Sequence, residues 1–137
     1  MVIGSDTSVV LDGQILGKPT DRADAVATLR RLSGRRHEVV TGVAVVVAGA
    51  DGSVTTTSGH EQSSVDVDEL TDHTIEWYVS TGEGDDKAGS YGLQGAGGLF
   101  ADRVTGSVSN VIGLPMGRLH KLCRIAGVDL LDFGSTS

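Results

Sequence analysis

The sequence is poor in cysteine and aromatic residues, and it contains no long hydrophobic run. Cys123 is the only cysteine among 137 residues, so no internal disulfide can form and a reducing, cytoplasmic setting is expected. Aromatic residues make up 4% of the chain, so the core must consist mainly of Val, Leu, Ile and Ala. No apolar run approaches the ~20 residues that a membrane-spanning helix needs, so no membrane partner is expected.

Positive charge is also scarce. Lys and Arg number 11 against 18 Asp and Glu residues, which gives a formal net charge of -7 at pH 7. Duplex nucleic acid is recognised by clustered Lys and Arg against its phosphates, so this class of partner is not expected. A single nucleotide remains compatible with the negative charge, because a few local cations and a metal ion suffice to hold it.

Apolar segments and turn signals alternate along the chain. β-rich runs predict strands near residues 2–11, 38–48, 53–67 and 99–104. Apolar residues at helical spacing, with caps and glycine stops, predict helices near residues 21–33, 71–81, 108–112 and 115–126. This order favours an α/β fold with a mixed sheet and flanking helices. One domain is expected over residues 1–127, followed by a loose tail at 128–137.

Two short polar clusters contain candidate functional residues. Asp6 and Thr7 are predicted to lie just after the end of a short strand at residues 1–3, where a carboxylate can hold a divalent ion or orient a water molecule. Lys18 precedes the helix predicted at 21–33, whose positive N-terminus would favour a phosphate. Taken singly, each cluster is more often an ordinary turn, with an Asp that caps it or with a solvated lysine.

Residues 83–98 form a long glycine-rich segment, and loops of this length in a compact domain are usually functional or disordered. Lys87 is suited to binding phosphate, and the amide of Gln94 is suited to a base edge. The glycines allow close approach of the backbone to a ligand. A structured loop without any ligand is an equal alternative on these residues alone.

Several other residues are predicted to be structural. Arg35, Arg36 and His37 follow the first helix and are expected to form a solvated cluster that matches the helix dipole. Cys123 lies on an apolar helix and is expected to be a core thiol. The other histidines show no metal-ligand spacing to one another or to Cys123.

Short motifs occur along the chain in a defined order. They are Gly-Ser-Asp-Thr at 4–7, Leu-Asp-Gly at 11–13, Leu-Gly-Lys-Pro at 16–19, Leu-Ser-Gly-Arg at 32–35, Val-Thr-Gly-Val at 40–43, Thr-Gly-Glu at 81–83, Asp-Lys-Ala-Gly at 86–89, Tyr-Gly-Leu-Gln-Gly at 91–95 and Asn-Val-Ile-Gly-Leu-Pro at 110–115. None is specific alone. Together the sequence resembles the Maf family of nucleotide pyrophosphatases, from residue 2 to about residue 127.

The resemblance implies two lobes around a cleft, and hydrolysis of dTTP or UTP to the monophosphate and pyrophosphate. It implies that Asp6 is the catalytic carboxylate and a ligand of a divalent cation, with Mg²⁺ expected. It implies that Thr7, Lys18, Lys87 and Gln94 bind the substrate. Family members are often dimers, so the resemblance also makes a homodimer an expected arrangement.

The sequence departs from the family pattern ahead of Met1. The family begins with a strand and a Ser-x-x-Arg-Arg loop that grips phosphate, and neither precedes Met1 in this sequence. An N-terminally truncated domain is therefore expected, with an exposed apolar sheet edge or a second chain that covers it, and little activity is expected from the 137 residues alone. The alternative function is a non-catalytic nucleotide-binding or interaction remnant.

Overall fold

The computed structural model describes residues 1–130, whose strands form one five-stranded sheet with the order β2-β1-β3-β4-β5. The strands are β1 (Val2–Leu11), β2 (Gln14–Leu16), β3 (Arg36–Ala48), β4 (Val54–Val67) and β5 (Ala101–Thr105). The predicted α/β class is confirmed. The strand pairs within the described residues are all antiparallel, so the sheet is not mixed in strand direction.

A long hairpin of β3 and β4 forms the centre of the sheet. Its register runs from Arg36 opposite Asp66 to Ala48 opposite Val54. The connecting turn is closed by the backbone N–H of Gly49, which donates to the carbonyl of Ser53 at 2.7 Å. The other edge of β3 pairs with almost the whole of β1, and this strand then positions the candidate site.

Within residues 1–130, four α-helices flank the sheet, and each was predicted. They are α1 (Arg22–Leu32), α2 (Asp72–Ser80), α3 (Val108–Ile112) and α4 (Met116–Ile125). Asp21 caps α1 by accepting from the N–H of Asp24 at 2.7 Å, and Thr71 caps α2 in the same way. No helix within residues 1–130 is long and apolar enough to cross a membrane.

Two apolar clusters hold the helices against the sheet. The larger cluster joins α1 and α2 to the strands through side chains such as Leu11, Leu29 and Ile75. The smaller cluster joins α4 to β3, and it contains the fully buried Cys123, so the predicted core thiol is confirmed. The predicted tail at 128–137 lies largely outside the described residues, but Val128 and Leu130 are partly buried against the smaller cluster.

The outer edge of β1 is open over most of its length. β2 pairs with β1 only at residues 9–11, and no described strand pairs with that edge over residues 2–8. Val2 is 66% exposed and Ile3 is 39% exposed. The expected exposed apolar sheet edge is therefore present, and it lies beside the cleft described below.

Candidate active site

A cleft of about 440 Å³ opens between β1, the segment after β2 and the glycine-rich loop 83–98. Its lining includes every residue that the sequence singled out for catalysis or substrate binding: Asp6, Thr7, Lys18, Lys87 and Gln94. The fold therefore brings the glycine-rich loop to β1 and to the segment after β2, which precede it in the chain by more than 60 positions. The cleft is concave and partly apolar with a few converging polar groups, as small-molecule sites are.

Asp6 lies in the middle of β1, so the prediction that it follows a strand end is wrong. The backbone continues as a strand through Gly4 and Ser5 because both residues pair with β3. Asp6 stands opposite Gly42 of β3, which has no side chain on that face of the sheet. Successive side chains of a strand point to opposite faces, so Asp6 and Thr7 lie on opposite faces of the sheet, and both residues line the cleft at the open edge of β1.

Thr7 is fixed on the helix side of the sheet by hydrogen bonds between hydroxyl groups. Its Oγ1 atom lies 2.9 Å from Oγ1 of Thr41, which in turn donates to the carbonyl of Asn110 at 3.2 Å. Thr7 Oγ1 also lies 3.5 Å from the carbonyl oxygen of Gly113. Thr7 is thus tied both to β3 and to the segment around α3.

Asn110 anchors α3 against the sheet. It is fully buried, and its Nδ2 group donates to the carbonyl of Val39 at 3.1 Å and to the hydroxyl of Ser63 at 2.9 Å. The two donor bonds hold α3 against the sheet, whereas Oδ1 of Asn110 is buried with no hydrogen-bond partner within residues 1–130. The helix thereby places Val111 and Ile112 in the cleft wall.

The two lysines come from segments that are bonded to each other. The N–H of Gly89 donates to the carbonyl of Gly17 at 3.2 Å, next to Lys18 and close in sequence to Lys87. Gly89 has a φ of 75°, and a Cβ there would lie 3.0 Å from a methyl group of Val9. Glycine is therefore required for the loop to approach β1 this closely. Both lysine side chains are exposed at the cleft.

The N-terminus of α1 does not line the cleft, so the expectation that it would favour a phosphate there is wrong. Residues 19–22 face a separate depression on the surface. Two of the backbone N–H groups at this end are already bonded to carboxylates: Thr20 donates to Asp24 at 2.9 Å, and Asp24 donates to Asp21 at 2.7 Å. The segment after β2 contributes Lys18 to the cleft, but not a helix dipole.

The glycine-rich loop folds around the carboxylate of Glu83, which the sequence analysis did not single out. Glu83 accepts from the N–H groups of Ala96 at 3.1 Å and Gly97 at 3.0 Å, and from the hydroxyl of Tyr78 at 3.0 Å. The backbone N–H of Gly97 is the main cause that lowers the pKa of Glu83 from its ordinary value. Tyr78 accepts in turn from the N–H of Gly92 at 3.1 Å, and burial raises the pKa of Tyr78 to about 12.

His37 is buried, so the prediction that it belongs to a solvated cluster is wrong. It is 1% exposed, and its Nε2 atom lies 2.8 Å from the hydroxyl oxygen of Tyr91, a residue of the cleft lining. Burial lowers the pKa of His37 to about 4, although nearby carboxylates oppose the change. Arg35 and Arg36 do remain exposed, in ion pairs with Asp12 and Asp66. Strand β3 begins at Arg36, so the alternation of β3 turns His37 inward.

The geometry of the cleft agrees with the family resemblance. Comparison with known proteins shows the class of protein to which the chain belongs. The family model described as Maf-like protein matches residues 1–126. The chain therefore belongs to the Maf-like family.

Individual relatives carry a more specific name. A dTTP/UTP pyrophosphatase of Anaeromyxobacter dehalogenans is 48% identical over 95% of this chain and 66% of its own length. Proteins of the same name from Dictyoglomus turgidum and Acetivibrio thermocellus are 44% and 48% identical, each over 96% of this chain. The chain spans slightly less than two thirds of the length of these relatives, between 64% and 66%.

Proposed function

We propose that this chain contributes the catalytic carboxylate and several substrate contacts of a nucleoside triphosphate pyrophosphatase that acts on dTTP and UTP. The observation that carries the proposal is the convergence of Asp6, two lysines and Gln94 on one cleft. Its volume of about 440 Å³ falls in the range of small-molecule sites. The name shared by the three relatives supports the same reaction.

In the proposed mechanism, a water molecule attacks the α-phosphorus of the substrate. Its oxygen forms the new bond to phosphorus, the bond from that phosphorus to the α–β bridging oxygen breaks, and pyrophosphate leaves. The carboxylate of Asp6 orients the water and accepts its proton. Lys18 and Lys87 offset the charge that develops on the leaving pyrophosphate.

The donor set of the cleft fits a divalent cation that is held mainly by the substrate. No group of three or more His, Cys, Asp and Glu side chains within residues 1–130 is arranged to hold a metal ion by itself. Glu83 is occupied by its three donors, and Asp86 lies 3.7 Å from the ammonium group of Lys87. Mg²⁺ is commonly bound by one or two carboxylates together with substrate phosphates, so Asp6 would hold it with phosphate oxygens. The cation would supply neutralisation of phosphate charge.

Gln94 supports the choice of a thymine or uracil base. Its amide offers one type of donor and one acceptor, which match the O4 and N3–H groups at the edge of thymine and uracil. Cytosine presents the opposite pattern at these two positions, so its pairing with the same amide orientation is disfavoured. Gln94 is exposed at the cleft, where a base could reach it.

The test measures pyrophosphate release from dTTP with Mg²⁺. The 137-residue chain is compared with a version extended by the N-terminal family segment, and the extended version is compared with its Asp6→Asn variant. Asn is nearly isosteric with Asp but cannot accept the proton, so we expect release by the extended version and its loss in the variant. Asp102→Asn is the matched control, since Asp102 is an exposed strand residue of β5 at the opposite end of the sheet order.

Two outcomes would decide against parts of the proposal. An active Asp6→Asn variant would move the catalytic role away from Asp6. Binding of dTTP by the extended version without pyrophosphate release would favour the alternative function, a non-catalytic nucleotide-binding module.

A further inference from the structure

We propose that Tyr78 and Glu83 are positioning residues that hold the glycine-rich loop in one conformation and thereby set base selectivity at Gln94. The inference rests on the proposed function, because it assumes that Gln94 contacts the base. Neither residue needs to touch the substrate in this role, because both act through the loop backbone.

The loop is anchored on both sides of Gln94. Before it in the chain, the N–H of Gly92 donates to the hydroxyl of Tyr78 at 3.1 Å. After it, Ala96 and Gly97 donate to the two carboxylate oxygens of Glu83. The hydroxyl of Tyr78 donates to the same carboxylate at 3.0 Å, so the two anchors are joined to each other. The backbone of residues 92–97, which carries Gln94, is therefore held at both ends by two linked side chains, and we call this segment the arch.

The glycines on this arch leave room for the anchors. A Cβ at Gly95 would lie 2.7 Å from Oε2 of Glu83, and the φ of 76° at this position favours glycine. A Cβ at Gly97 would collide with the carbonyl oxygen of Gly92, so the two ends of the arch approach each other directly. The glycines at positions 95 and 97 thus allow the loop backbone to approach the carboxylate of Glu83 closely.

Tyr78 and Glu83, the two anchors, are themselves held in place by packing and by a hydrogen bond. Tyr78 belongs to α2, is fully buried, and packs edge-on against Phe100 with ring centroids 4.7 Å apart. Glu83 follows Thr81, whose hydroxyl accepts from the N–H of Glu83 at 3.2 Å. The position of the arch is consequently fixed before any ligand binds, which lowers the ordering cost of binding.

Glu83 lines the cleft, so a direct role as base or metal ligand is the competing interpretation. Its oxygens already accept from three donors, which use three of about four lone-pair sites of a carboxylate and leave little capacity for a proton or a cation. Asp6 has no such donors among the described contacts. The arrangement assigns the direct role to Asp6 and the indirect role to Glu83.

The experiment measures the affinities of the 137-residue chain for dTTP and CTP by calorimetry, and the exchange rate of the Gly92 amide by NMR. Tyr78→Phe keeps the ring packing and removes the hydroxyl, so the Gly92 amide should exchange faster. We expect the dTTP to CTP affinity ratio to fall by roughly two- to tenfold, as for the loss of one neutral hydrogen bond at Gln94. CTP affinity should stay nearly constant, because Lys18 and Lys87 still bind the phosphates.

Glu83→Gln should lower the same ratio, because its amide NH₂ would face one of the two backbone donors. Ile75→Val is the matched control: it shortens a buried side chain of the same helix and lowers stability without removing a hydrogen bond to the arch. Its affinity ratio should equal that of the unaltered chain.

The outcomes separate this inference from the proposed function. Faster Gly92 exchange in Tyr78→Phe with an unchanged affinity ratio would overturn the inference alone, as would an equal loss of the ratio in Ile75→Val. An unaltered chain that binds neither nucleotide would overturn the inference alone, because the proposed function is decided by pyrophosphate release from the extended version.

Discussion

The buried pair of His37 and Tyr91 predicts a specific loss of stability in acid. His37 is neutral in the folded chain, because burial lowers its pKa from 6.5 to about 4. Its Nδ1 atom is also buried, with no hydrogen-bond partner within residues 1–130, so an added proton would have no acceptor there. The unfolded chain binds that proton more tightly than the folded chain does. The stability from neutral His37 is therefore complete above about pH 6.5 and is lost as the pH falls toward 4.

The size of the loss follows from the displacement of the pKa. Each tenfold change in proton affinity corresponds to about 1.4 kcal/mol. Between pH 7 and pH 4, protonation of His37 should therefore lower the free energy of unfolding by about 3 kcal/mol. This is a large share of the roughly 5–15 kcal/mol that stabilises a typical domain.

The assay is urea unfolding at a series of pH values, monitored by circular dichroism. His37→Phe should be less stable at pH 7, because the hydroxyl of Tyr91 loses its partner, but its stability should fall less steeply toward pH 4. Tyr91→Phe is the matched control, since it removes the same hydrogen bond and leaves the buried imidazole in place. It should keep the steep fall. An equally steep fall in His37→Phe would refute the assignment of this pH dependence to His37.

Two further predictions concern the cleft. Gln94→Ala should weaken dTTP and UTP binding by a similar factor, roughly two- to tenfold for one neutral hydrogen bond, and unchanged discrimination against CTP would exclude Gln94 from base recognition. Gly89→Ala should lower the free energy of unfolding by about 1–2 kcal/mol, because a side chain is strained at positive φ. Gly117→Ala, whose Cβ would have nothing within 4 Å, is the control in chemical denaturation, and an equal effect of the two changes would contradict the reasoning.

Local signals predicted the helices, and ordered motifs predicted the site. Helix ends can be predicted without knowledge of the fold, because the residues that mark them act locally. The side chains of Asp21 and Thr71 accept from the first turns of their helices, and Gly34 adopts a positive φ after α1. The residues of the cleft were found because the family resemblance supplied their roles. The structure adds that the chain folds them into one cavity.

Contacts between distant segments of the chain explain which features of the site the sequence did not predict. His37 is separated from its partner Tyr91 by 54 positions, and its neighbours Arg35 and Arg36 suggest a solvated segment. Asp6 follows Gly4 and Ser5, which disfavour a strand locally, but pairing with β3 overrides that preference. The bonds of Glu83 to the loop have no signature in spacing, because they depend on where the loop backbone lies.

The antiparallel hairpin of β3 and β4 has a consequence for the order in which the chain folds. Its strands are joined by a short turn, so they can pair with little loss of loop entropy. β1 must then reach β3 across the intervening α1, and the glycine-rich loop must return to β1 from beyond β4. Contacts of larger sequence separation form later and more slowly on average. We therefore expect partly folded chains to contain the hairpin but not the cleft, which is completed only when β1 and the loop have joined it.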